Sequence, residues 1–134
     1  MTLIPYILFN GKCEEALNFY AKAFNGTIKD LRRFEGSPME AATPDKQKIM
    51  HAHLEAKGLT LLASDGGQEG VKGGMVQLSV NFESGADMDQ AFNTLSEGAE
   101  VRMPLQDTFW GARFGMLTDK YGVSWMFNQE LKKD

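Results

Sequence analysis

The chain has 134 residues, 43% of them hydrophobic, with a net charge of −4 and an isoelectric point near 5.2. That length suits one domain with a sizeable core, and the acidic balance argues against a nucleic-acid binder, which needs clustered Lys and Arg. The single cysteine, Cys13, excludes an intrachain disulfide. No apolar stretch approaches membrane-spanning length, and Met1–Pro5 lacks a basic segment followed by a long apolar run, so a soluble cytoplasmic protein is expected.

Leu3–Phe9 is β-rich and ends at Asn10-Gly11, which reads as a strand and a turn; Pro5 cannot donate to a ladder and belongs at an edge or at the strand's start. Ala16, Leu17, Tyr20, Ala23 and Phe24 fall at helical spacing, and Asn25-Gly26 stops the helix. Thr27–Phe34 is extended again. Glu35–Gln47, with Gly36, Pro38 and Pro44, reads as a loop. Lys48–Ala56 alternates at the strand period, putting Ile49, His51, His53 and Glu55 on one face. Lys57-Gly58 turns it into a second strand, Leu59–Ser64.

Residues 65–74 contain five glycines and read as a linker. Met75–Phe82 then opens as a strand. Ser84 with Asp87 resembles a capping box, and Met88, Ala91, Phe92 and Leu95 form the stripe of an amphipathic helix ending near Gly98. Glu100–Pro104, Arg113–Thr118 and Val123–Phe127 are the remaining strands.

The order is βαβββ twice. The expected fold is α+β: one domain, 1–134, of two βαβββ modules (1–64 and 75–128) joined by the linker 65–74. The modules form a curved mixed sheet with a cleft, the helices on its outer side.

His51, His53 and Glu55 are the strongest chemical group, with successive side chains on their shared face about 7 Å apart. They suit a polar patch lining the cleft, as a base, a carbonyl partner or two ligands of a non-standard metal site, or else a solvated or hydrogen-bonded sheet face, which two histidines without an obvious third ligand fit better than a metal site. Arg113 is able to hold a carboxylate or phosphate and Trp110 to form a flat apolar wall, with a structural ion pair and core aromatics as the alternative. Trp125 reads as core and Asp119 as a turn former. Cys13 stands near a helix N-terminus, which favours thiolate, or else is a small packing residue. Glu14 and Glu15 suit the helix dipole. The eight methionines suggest an adaptable interior or pocket, or ordinary core filler. Glu35–Gln47 and Asp65–Gly74 are loops with the length or flexibility to gate a cleft.

Three segments carry a family resemblance: Ile4–Tyr20; His51-Ala52-His53-Leu54 through Ser64-Asp65; and Trp110-Gly111-Ala112-Arg113-Phe114-Gly115 with Asp119-Lys120-Tyr121-Gly122-Val123-Ser124-Trp125. Together they resemble the vicinal-oxygen-chelate superfamily (glyoxalase, bleomycin-resistance protein, extradiol dioxygenase), and within it the PhnB-like branch. The resemblance implies paired βαβββ modules around a U-shaped cleft and a homodimer. It places metal ligands near the start of each module's first strand and on its last strand. Here those places hold Pro5, Leu62, a residue in Met75–Gln77 and one near Met126, where only Gln77 offers a weak hard donor. No metal and no cofactor are therefore expected. PhnB-like sequences are often labelled ubiquinone methyltransferases, yet no Gly-rich strand-to-helix loop for a nucleoside cofactor is present.

The function these readings imply is binding of a small organic molecule in the cleft, without the usual metal, by a homodimer that engages neither nucleic acid nor membrane. The alternative is a lyase, isomerase or dioxygenase with a displaced site around His51, His53 and Glu55.

Overall fold

The computed structural model describes residues 1–42, 45–65 and 75–131. The chain divides into two compact units, Met1–Val71 and Lys72–Asp134. The first contains β1 (Tyr6–Leu8), α1 (Cys13–Phe24), β2 (Thr27–Arg33), β3 (Ile49–Ala56) and β4 (Leu59–Ser64); the second contains β5 (Leu78–Asn81), α2 (Gly85–Leu95), β6 (Glu100–Asp107), β7 (Ala112–Thr118) and β8 (Ser124–Glu130). Each unit forms its own four-stranded mixed sheet, and the strand orders β1-β4-β3-β2 and β5-β8-β7-β6 are the same topology twice. In both, the first strand lies parallel to the fourth and the remaining pairs are antiparallel.

In the first unit, α1 buries Cys13, Ala16, Leu17, Tyr20 and Ala23, and β3 and β4 answer with buried Ala52, Leu54, Leu61 and Ala63. Asn25 adopts the left-handed conformation (φ 53°) that ends the helix. Pro5 stands just ahead of β1, at an edge of the sheet, and its carbonyl accepts from Leu62 N–H at 3.0 Å. β2 carries a bulge near Asp30, itself at φ 50°. The segment expected as an irregular loop contains a 3-10 turn, Glu40–Ala42, and is pinned by Glu35 N–H to the Lys46 carbonyl and by Gln47 to the Glu35 carboxylate.

In the second unit, Ser84 caps α2, its hydroxyl accepting from Asp87 N–H at 3.3 Å. Met88, Ala91, Phe92 and Leu95 are buried, and Phe92 meets Phe127 edge-on. β6 runs three residues beyond the expected Glu100–Pro104, to Asp107. Pro104 is tolerated because β6 is an edge strand and the ladder shifts register between Met103 and Gln106.

Of the expected linker, only Asp65 lies among the described residues. It is no linker residue: its carboxylate is buried in the first unit. Positions 66–74 lie outside the described residues.

Candidate functional site

Alternation along β3 turns Ala52 and Leu54 to the helix and leaves His51, His53 and Glu55 on the helix-free face, all half-buried. Two residues that sequence reasoning missed join them there. Tyr6, 49% exposed, lies across Leu62 from His53, and its hydroxyl faces His51 Nδ1 at 3.4 Å. Lys29 is the β2 partner of His53 and donates to Glu55 at 2.7 Å. That bond holds the Glu55 carboxyl below its ordinary range and raises Lys29. His53 Nε2 is buried 3.3 Å from Glu55 Oε1, without hydrogen-bond alignment. Only the pairing registers bring Tyr6 and Lys29 to this face, and no local motif marks them.

Behind β3, Asp65 accepts from three backbone groups, Gly11, Cys13 and Ile49 N–H, each at 2.8 Å. One carboxylate thus satisfies the start of α1 and the start of β3. Cys13 is fully buried beside it, and burial, then the charges of Asp65 and Glu14, push its thiol up to about 12. Of the two readings of Cys13, the small packing residue fits: burial and adjacent carboxylates disfavour the thiolate that a helix N-terminus would otherwise promote. A polar depression of about 490 Å³ opens at the first turn of α1. There Arg33 pairs with Glu14 at 2.8 Å and holds its carboxyl below the usual range, while Lys48 donates to the Gly11 carbonyl.

In the second unit, Gly115 and Leu117 point toward α2, since a Cβ on Gly115 would sit 3.0 Å from the Phe92 ring. Phe114 and Met116 therefore occupy the opposite, helix-free face. Trp110, 54% exposed, meets Phe114 with ring centroids 6.0 Å apart. Met103, Met116 and Met126 are directly paired across β6, β7 and β8, so they form one row on that face. Arg113 belongs to the other side, where its guanidinium reaches Asp89 of α2 at 2.7 Å. Trp110 and Arg113 are therefore separated by the sheet. Trp125 is buried, and its indole N–H donates to Asp119, whose other oxygen accepts from Tyr121 and Val123 N–H.

The residues at the places where the superfamily resemblance puts a divalent metal do not fit one. Leu62 stands between Tyr6 and His53, and Met126 between Ser79 and Met116. Neither thioether nor alkyl side chains hold hard cations. Gln77 offers one buried amide oxygen without a hydrogen-bond partner. Among the described residues no three His, Cys, Asp or Glu side chains gather as a ligand set.

A family model described as 3-demethylubiquinone-9 3-methyltransferase matches residues 1–127. The chain belongs to this family, the PhnB-like one. Protein YjdN of Escherichia coli K12 is 30% identical over 96% of this chain and 95% of its own length. Among solved structures, protein PA1353 of Pseudomonas aeruginosa is 42% identical, covers 98% of this chain and 99% of its own, and superposes with a TM-score of 0.82. A PhnB protein from Bacillus cereus is 26% identical over 96% of this chain and 99% of its own, with a TM-score of 0.81. The PhnB-like family shares its fold with the glyoxalase/bleomycin resistance protein/dioxygenase superfamily. Among the described residues no helix is long and apolar enough to cross a membrane.

Proposed function

We propose that this PhnB-like protein binds a small, partly aromatic organic molecule and does so without the divalent metal of its superfamily. The observation that carries the reading is the helix-free face of the second sheet. There the Met103–Met116–Met126 row adjoins Phe114, on which Trp110 packs. Methionine adapts to irregular apolar shapes, and aromatic rings prefer offset or edge contacts with a planar guest. The residues at the superfamily's metal positions support the second half of the reading.

Methyl transfer does not follow from the family's description. Both strand-to-helix turns, where backbone N–H groups would meet a cofactor, are occupied by the chain's own acceptors: Asp65 at α1 and Ser84 at α2. The lone cysteine suits a reducing, cytoplasmic setting.

The test is a fluorescence titration with planar aromatic compounds, combined with metal analysis of the purified protein. Trp110 emission should quench and the quenching should vanish in Trp110→Phe, with Trp125 as the buried reference. One tightly held divalent ion per chain, or quenching that survives the substitution, would sink the reading.

A second reading is favoured by the first sheet. Glu55, fixed by Lys29, lies 3.3 Å from His53 Nε2, with Tyr6 and His51 alongside. This arrangement suits proton transfer in a lyase or isomerase. A His51→Ala, His53→Ala double variant that keeps full activity on any substrate found would exclude it.

A further inference from the structure

Three thioethers stand side by side in the second sheet. Met103 pairs with Met116, and Met116 pairs with Met126, so the row crosses three adjacent strands on the face turned away from α2. All three side chains are half-buried, neither sealed in the core nor fully in solvent. Directly paired residues hold their Cβ atoms about 5 Å apart, and each methionine has three rotatable bonds ending in a polarisable sulfur. The outer two Sδ atoms are thus able to lean toward the central one and present convergent soft donors. The fourth residue of the row is Ser79 on β5; the row contains no carboxylate or imidazole. Phe114, next along β7 on the same face, and the Trp110 that packs on it give the row an apolar flank.

Thioether sulfur ranks with the soft ligands that select monovalent copper, while hard divalent ions prefer oxygen and imidazole. We propose that the Met103–Met116–Met126 row is a binding site for a soft monovalent metal ion of the Cu(I) kind. The proposal goes beyond the small-molecule reading and does not depend on it: one concerns the sulfur lone pairs, the other the apolar volume of the same side chains.

That difference sets the experiment. The full chain, labelled with ¹³C at its methionine methyl groups, is titrated with silver(I) nitrate in chloride-free buffer as a redox-inert probe. Three of the eight methionine signals should shift together and saturate at one equivalent, and the single variants Met103→Leu, Met116→Leu and Met126→Leu assign them. Met116→Leu should weaken silver binding by at least the roughly tenfold that loss of even a supporting group costs a metal site. The triple leucine variant should not bind silver there. Leucine keeps the apolar volume, so the triple variant folds, which an unchanged circular dichroism spectrum checks; the aromatic titration is read on the wild-type chain, where absent quenching beside intact silver binding counts against the small-molecule reading alone. Titration without saturation overturns the proposal. So do shifts confined to the exposed Met1, Met39 and Met75, and silver uptake that persists in the triple variant.

Discussion

Asp65 accepts three backbone N–H groups, two of them buried, from the start of α1 and the start of β3. Charge-assisted bonds of this kind are among the strong ones, and their loss leaves buried donors unsatisfied. Asp65→Ala should therefore cost about 3 kcal/mol of stability in urea unfolding, whereas a change at an exposed carboxylate such as Glu97 should cost a few tenths. Beside it, Cys13 ties stability to alkaline pH. Its folded-state value of about 12 lies above the ordinary 9.0, so the unfolded chain releases this proton first. Its contribution is full below pH 9 and is lost as pH rises toward 12. The expected slope is about 1.4 kcal/mol per pH unit, and Cys13→Ala should flatten it. Sequence alone missed both effects for one reason. Asp65 precedes a run of glycines, which reads as a linker, while the backbone groups it serves lie 54, 52 and 16 residues away. Nothing local marks such a residue, and the same distance hides the acid beside the thiol.

Among the secondary-structure elements, alternation and helical spacing made most of the fold legible. His51, His53 and Glu55 share a face because the strand period is two, and the α1 and α2 stripes are the buried ones. What alternation does not give is register, and the candidate surfaces are made of register. Tyr6 meets His51, Lys29 meets Glu55, and three methionines align only because particular rungs pair. Arg113 shows the same limit. Its parity in β7 sends it toward α2 and Asp89, and which face of β7 a helix covers is not written in the strand itself. Gly115 belongs to that covered face. A Cβ there would lie 2.9 Å from Leu105 and 3.1 Å from the Met103 carbonyl. Gly115→Ala should cost about 1–3 kcal/mol by overpacking, read as a lowered midpoint of thermal unfolding with the secondary structure retained in circular dichroism.

For the whole molecule, the duplicated topology leaves β1, β2, β5 and β6 as sheet edges. Unpaired strand edges are open to pairing with another chain, and exposed apolar residues at β1, Tyr6 and Leu8, add a reason for burial. We expect a homodimer of about twice 14.9 kDa in light scattering; a monomer at high concentration would refute it.

Duplication has one further consequence, which concerns change over generations. In each copy the packing obligations fall on the helix side, where the residues are fully buried and a single added methyl group at Gly115 has no room. The opposite side is less tightly packed, and the two copies differ there: imidazoles, Tyr6 and an ion pair in one, a methionine row with Phe114 and Trp110 in the other. A library randomised at Met103, Phe114, Met116 and Met126 should keep folding while what it recognises drifts. The scaffold separates what must be inherited from what is free to be rewritten.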